Sequence, residues 1–296
     1  MRKLMFIINP VAGRGMYKLG LGDALHTLYM GGYEPTLFFT TRKGEAIKLA
    51  ADNAENYDLV CCLGGDGTLS DVVAGLMMVP NPPPIGYFPL GTANDVATTL
   101  KLPKNDLAAS AKLVVEGTPM DWDVGALGEH DYFTYVAAFG AFTDVSYETP
   151  QQSKQALGSL AYILEGMNRL PRLPHYVTRV ELDDDRVFEG DFIVAGATNS
   201  TSVAGMIRLD PNKVRLDDGK FEVTMIRYPE SLSDMNALMG EFVSQKYDGE
   251  FIKVVQSSRA RFIFTQEVPW TRDGEAGGSF MSVTLENRPQ AVRIIV

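Results

Sequence analysis

Residues 59–68 constrain this chain more than any other stretch. Five apolar residues, Leu59-Val60-Cys61-Cys62-Leu63, run directly into Gly64-Gly65-Asp66-Gly67-Thr68, and a helical stretch, Leu69–Met78, follows. A short unbroken apolar run reads as a strand buried on both faces. Further strands at Leu4–Ile8, Thr36–Thr40 and Ile85–Phe88 alternate with helical spacing at Met16–Met30, Glu45–Ala54, Asp95–Leu100 and Leu107–Glu116. Alternation of this kind predicts an α/β N-terminal domain, a parallel sheet with helices on both faces. Ligands of such sheets bind at the carboxyl ends of the strands.

After Asp121-Trp122-Asp123 the texture changes. Strand-like runs dominate: Tyr132–Phe142, Thr178–Leu182, Val187–Thr198, Lys220–Ile226, Phe251–Gln266, Ser279–Leu285 and Ala291–Val296. Helices are expected only at Ser153–Leu170 and Leu232–Val243. A β-rich second domain is therefore expected, with the boundary near Gly125–Asp131: a first domain over 1–127 and a second over 128–288.

Composition excludes several classes. The chain has 296 residues, 27 Lys+Arg and 37 Asp+Glu, for a formal charge of −10. Residues 1–125 hold ten basic and thirteen acidic residues; the remaining excess acid lies in 126–296. An acidic chain is a poor candidate for nucleic acid bound through a broad basic face. The two cysteines are adjacent and the three histidines (His26, His130, His175) are scattered, so neither a disulfide framework nor a zinc site is expected. No apolar run approaches the ~20 residues of a membrane span. The expected location is cytoplasmic, with membrane contact limited to a local patch.

Three glycine-bearing turns fall at strand ends. Asn9-Pro10-Val11-Ala12-Gly13-Arg14-Gly15 is neither a Walker A loop nor Gly-x-Gly-x-x-Gly, since Lys18 stands at the third glycine. It is either a tight strand-to-helix turn or a backbone cradle for an anion. In Gly64–Thr68 a carboxylate stands among glycines. It would repel phosphate unless a divalent cation lay between them, so Asp66 is a candidate Mg²⁺-linked residue. Thr68 adds a hydroxyl. In Pro89-Leu90-Gly91-Thr92-Ala93-Asn94-Asp95, Asn94 or Asp95 is either a helix N-cap or part of a shared acidic site.

Together these turns resemble the diacylglycerol kinase-like lipid kinases, in particular the soluble bacterial members. Their marks are Asn-Pro-x-[Ser/Ala]-Gly, Gly-Gly-Asp-Gly-Thr and Pro-x-Gly-Thr-x-Asn-Asp, and all three stand here in order. Ala204-Gly205, Leu216-Asp217-Asp218-Gly219-Lys220-Phe221, Asp273-Gly274-Glu275 and Val145-Ser146-Tyr147-Glu148-Thr149-Pro150 extend the likeness into the second domain. The resemblance implies a C-terminal β-sandwich, an active site in the cleft between the domains, and a last strand (289–296) able to return to the first. It implies ATP contacts at Asn9, Pro10, Val11, Ala12, Gly13, Thr40, Gly65, Asp66, Gly67, Thr68, Leu69, Ser70, Asp71 and Thr92. Asp66 and Asp95 would reach a catalytic Mg²⁺. Asp218 would bind a structural Mg²⁺ through its side chain, and Arg215 and Lys220 through their carbonyls. Glu275 would be the catalytic base, although Asp273-Gly274 by itself reads as a hairpin turn.

The implied function is phosphorylation of a lipid alcohol, foremost 1,2-diacylglycerol to phosphatidic acid, with phosphatidylglycerol or a sphingoid base as alternatives. The implied partners are a lipid at a membrane surface and a possible homodimer. A NAD kinase or phosphofructokinase relative also uses Gly-Gly-Asp-Gly, but the Asn94-Asp95 turn and Asp273-Gly274-Glu275 argue against it. A catalytically silent nucleotide-binding module is opposed by retention of Asp66, Asp95 and Glu275. Departures from the family pattern are Ser70 and Asp71 for Asn and Glu, Val96 for Phe, Thr98 for Arg and Glu165 for Lys. The basic run Arg169, Arg172, His175 and Arg179 reads as a solvated linker or a membrane-facing patch.

Overall fold

A computed structural model describes residues 1–129, 131–140, 174–203, 207–210, 214–245 and 247–296. The chain divides into two compact units, Met1–Val124 with Arg288–Val296, and Gly125–Asn287.

In the first unit, β1 (Arg2–Ile8) pairs in parallel with both β2 (Tyr33–Phe39) and β3 (Leu59–Gly64), and β3 pairs in parallel with β4 (Ile85–Pro89). Leu4 through Ile8 and Leu59 through Leu63 are all buried, which requires cover on both faces of these strands. Leu4, Phe6 and Ile8 face Ala24 and Leu28 of α1 (Leu21–Met30) and Leu107, Ala111 and Val114 of α5 (Leu107–Glu116). By strand alternation Met5 and Ile7 face the other way. Helices α2 (Glu45–Asn53) and α3 (Asp66–Leu76) pack on each other, and α4 (Asp95–Thr99) is a single short turn. The Met16–Met30 helix is shorter than its spacing suggests. Residues Ala12–Lys18 form a 3-10 segment, and Gly20, at φ 87°, starts α1 afresh.

The C-terminal residues belong to this unit. Ile294 pairs in parallel with Ile85, and Thr118 and Val296 exchange two backbone hydrogen bonds. The buried carboxylate of Asp123 accepts the amide of Gln290 at 2.7 Å.

The second unit is built mainly of antiparallel strands. They are β6 (Asp131–Phe133), β7 (Val136–Gly140), β8 (Tyr176–Leu182), β9 (Val187–Thr198), β12 (Phe221–Arg227), β13 (Ile252–Ser257), β14 (Arg259–Arg272) and the first part of β15 (Glu275–Ile295). Pro119–Leu127 is β5, and Ser202–Val203 and Ile207–Arg208 (β10 and β11) make a small separate ladder. Both β7 and β8 bridge β9 and β14, so the sheet folds back on itself. Inside, Phe139 stacks its ring edge against Phe264 (5.0 Å) and lies 5.2 Å from Trp270. A second cluster forms under α6 (Leu232–Ser244), where Met235 and Leu238 meet Ile226 and Ile252.

Three strand boundaries differ from those suggested by the apolar runs. Tyr132–Phe142 breaks at Thr134-Tyr135, Phe251–Gln266 breaks at Ser258, and the two C-terminal runs are one continuous strand. The buried carboxylate of Asp273, which accepts the amides of Thr134, Tyr135 and Val136, accounts for the first break. The helix expected at 153–170, and Glu165, Arg169, Arg172, Val145–Pro150, His130 and Ala204-Gly205, lie outside the described residues.

Candidate active site

The three glycine turns leave the carboxyl ends of adjacent strands: Asn9 follows β1, Gly65 follows β3 and Leu90 follows β4. Backbone bonds tie them, Asn9 N–H donating to Leu63 O and Leu90 N–H to Gly64 O. The glycines let the turns touch. A Cβ on Gly91 would lie 2.7 Å from the Cα of Gly65, and one on Gly13 would lie 2.7 Å from the side chain of Leu90. Across this junction Asn9 Nδ2 donates to Thr68 Oγ1 at 2.9 Å, while its Oδ1 accepts the amide of Val11. Thr40 is buried at the end of β2, its amide donating to Ile8 O.

Asp66 opens α3 and is 8% exposed. Its Oδ2 accepts the amide of Asp95 at 3.0 Å and its Oδ1 the amide of Val96 at 3.2 Å. These are orphan donors at the start of α4. Neither Asn94 nor Asp95 caps that helix with its own side chain; the cap comes from Asp66, 29 residues earlier. Asn94, at φ 51°, instead clamps Gly91, accepting its amide and donating to its carbonyl, both at 2.9 Å. Burial pushes the carboxyl of Asp95 above its ordinary range, and the charge of Lys104 partly offsets this. Lys104 also donates to Thr98 Oγ1 at 3.0 Å, so a basic group stands beside the position where Thr98 replaces an arginine. Ser70 is buried on α3, and Asp71, on the same helix, helps push the Cys62 thiol upward after burial itself. Val11 and Thr92 are exposed, and Pro10, Ala12, Gly13, Gly65 and Gly67 are half-buried.

In the second unit, Asp273-Gly274 is the two-residue connection between β14 and β15. Both residues have positive φ (47° and 81°), and Arg272 faces Glu275 across it. The turn is anchored by Asp273 itself. Its buried carboxylate accepts Thr134 N (2.7 Å), Thr134 Oγ1 (2.9 Å), Tyr135 N (3.0 Å) and Val136 N (3.1 Å). This clamp ends β6 and starts β7. Glu275, half-buried, is thus the first residue of a strand whose turn is fixed from across the sheet. Nothing local in the sequence marks Asp273 as the anchor, because its partners lie 137–139 residues away.

Asp218 is exposed, and its Oδ1 accepts the amide of Lys220 at 3.0 Å, so the loop is held tight while a second oxygen stays available. Arg215 points its guanidinium to Asp217. Among the described residues no group of three His, Cys, Asp or Glu could hold a metal ion. A cation at Asp218 would therefore draw its other donors from carbonyls and water, oxygen chemistry suited to Mg²⁺. Nearby Glu222 is buried, and nothing in the sequence around it marks it. Burial, with the charge of Asp218 adding to it and a hydrogen bond from Gln256 opposing it, pushes its carboxyl up to about 7.

Two family models cover the chain. A diacylglycerol kinase catalytic domain matches residues 3–127, and a YegS C-terminal NAD kinase beta sandwich-like domain matches 138–296. A diacylglycerol kinase of Bacillus subtilis is 32% identical over 94% of this chain and 91% of its own. One from Staphylococcus aureus is 37% identical over 80% of this chain and 74% of its own. The crystal structure of a diacylglycerol kinase from Bacillus anthracis matches the fold with a TM-score of 0.73 at 20% identity, covering 99% of this chain and 96% of its own. By these matches and by its three strand-end turns, the chain belongs to the diacylglycerol kinase family and is a kinase.

Proposed function

We propose that the chain is an ATP- and Mg²⁺-dependent lipid kinase that phosphorylates 1,2-diacylglycerol to phosphatidic acid, ahead of other lipid alcohols. The observation that carries this reading is the junction of the three turns around Asp66. Its carboxylate is fixed by two backbone amides, where Gly13, Gly65 and Gly91 let the three strand-end turns close on one another. The donor set suits the cation: Asp66 and Asp95 offer hard oxygen ligands, and burial makes the charge of Asp95 costly without a cation. Bound Mg²⁺ supplies neutralisation of the phosphate charge.

The residues then have separate tasks. The Asn9–Gly13 and Gly65–Asp71 segments, with Thr40 and Thr92, hold and orient ATP. Glu275 takes the proton of the lipid hydroxyl as that oxygen bonds to the γ-phosphorus and the bridge to ADP breaks. The Asp273 clamp keeps the Glu275 turn rigid, so positioning is not lost to loop motion. Asp218, with the carbonyls of Arg215 and Lys220, holds a structural Mg²⁺. Contact with the membrane is peripheral and transient in a cytoplasmic enzyme. No helix among the described residues is long and apolar enough to cross a membrane.

The test is an acceptor panel with labelled Mg-ATP: diacylglycerol, phosphatidylglycerol, sphingosine, NAD and fructose 6-phosphate. Transfer to diacylglycerol above the rest supports the reading. Transfer to NAD or the sugar phosphate, or to none, contradicts it.

A further inference from the structure

The second unit has a concave feature that shares no residue with the sites above. A cavity of about 380 Å³ is lined by Arg179, Arg186, Arg259 and Arg261, with Glu181 and Asp185 among them. Strand register builds it. On β8, Glu181 faces Arg261 of β14 on one side and Val187 of β9 on the other. Alternation turns Arg179, Glu181, Arg259 and Arg261 outward, while Val180 and Phe262 enter the core. Arg186 comes from the β8–β9 connection.

That connection is tied down. Asp183 accepts Ser257 Oγ at 2.7 Å and Ser258 N at 2.8 Å, and Arg186 donates to Gln256 O at 3.1 Å. The β8–β9 turn is thereby stapled to the β13–β14 connection at Ser258, which leads directly into Arg259. Acids around the rim orient the guanidinium groups. Arg179 bonds Glu181 and Glu189, and Arg186 bonds Asp184. Arg259 and Arg261 are less committed. Arg259 meets Glu286 only as an ion pair at 3.6 Å, and Arg261 meets Ser282 Oγ at 3.4 Å and Glu181 at 3.8 Å. Their side chains are 56% and 48% exposed, with most of their N–H donors unspent.

All four cations are arginine. A guanidinium offers paired donors in a rigid fork that matches a phosphate edge, which an ammonium cannot do. Two oriented forks and two open ones around one cavity suit a compact anion with three terminal oxygens. A merely solvated ion-pair network needs no cavity and no stapled rim. We propose that this cavity binds a phosphomonoester dianion, with Arg259 and Arg261 as its principal donors.

The experiment is calorimetric titration of the full chain with inorganic phosphate and with glycerol 3-phosphate. Alongside it runs co-sedimentation with phosphatidylcholine vesicles with and without phosphatidic acid. Wild type and Arg259→Gln/Arg261→Gln are compared. Loss of both open forks should weaken binding at least ~10-fold with an unchanged melting temperature. An arginine-dependent response to the soluble probes alone supports the site with a free phosphate ester as ligand. An arginine-dependent response confined to phosphatidic acid vesicles supports it with a lipid headgroup. No binding of any probe, or equal binding by wild type and the double variant, overturns the proposal. Should the double variant fail to fold, Arg259→Gln alone decides, because that guanidinium makes no hydrogen bond among the described residues.

Discussion

Asp66 Oδ2 lies 3.0 Å from the backbone nitrogen of Asp95, so the residue that opens α3 also starts the helix of the Asn94-Asp95 turn. Two motifs 29 residues apart are thus one device. Asp66→Asn keeps one acceptor but presents an amide N–H₂ to a backbone N–H and removes the charge. The expected cost is about 1–3 kcal/mol of stability, read by denaturant melting. The rate of phosphoryl transfer should fall at least ~100-fold.

Asp273 and Glu275 separate structure from chemistry. Asp273→Ala leaves three amides and a hydroxyl at Thr134–Val136 without their acceptor. It should destabilise the chain by about 3 kcal/mol or more, seen as a large drop in melting temperature. Glu275→Gln, at a half-buried strand start, should melt within about 0.5 kcal/mol of wild type.

The glycines are not equivalent. Gly91→Ala places a Cβ 2.7 Å from Gly65 Cα and 2.7 Å from Asn94 Oδ1. It should cost about 1–3 kcal/mol and raise the KM for ATP, because two turns must part. Gly22→Ala, in α1 with nothing within 4 Å, should stabilise by about 0.5–1 kcal/mol.

How far the sequence carried depends on the range of each interaction. The Gly64–Thr68 turn was legible because an apolar run, glycines and an acid are neighbours in the chain. The two-residue hairpin at Asp273-Gly274 was legible for the same reason. The task of Asp273 was not, since only folding brings Thr134 to it, and with it went the break between β6 and β7. The cap on α4 was sought locally, at Asn94 or Asp95, and Asp66 supplies it. Glu222 lies in an apolar run with nothing local to mark it, yet it is buried on β12 and accepts a hydrogen bond from Gln256 of β13.

Asp183 gives a pH signature. Burial raises its carboxyl, but hydrogen bonds from Ser258 and Ser257 outweigh this and hold it at about 2, below the ordinary ~3.9. A depressed carboxyl contributes stability that is present above the unfolded value and is lost as pH falls through the folded one. Wild type should therefore exceed Asp183→Asn in melting temperature at neutral pH, and the gap should close between about pH 4 and pH 2.

Cys61 and Cys62 are buried on β3, and burial pushes both thiols far up. Native protein should resist a chromogenic disulfide reagent, and both thiols should react once it is unfolded.

The most direct test of the central claim is the rate at which Glu275→Gln transfers labelled γ-phosphate from Mg-ATP to diacylglycerol in mixed micelles. The account predicts transfer by wild type and a loss of at least ~100-fold in the variant, with an unchanged melting temperature. Equal rates in the two proteins, or a wild type that phosphorylates no lipid alcohol, would contradict it.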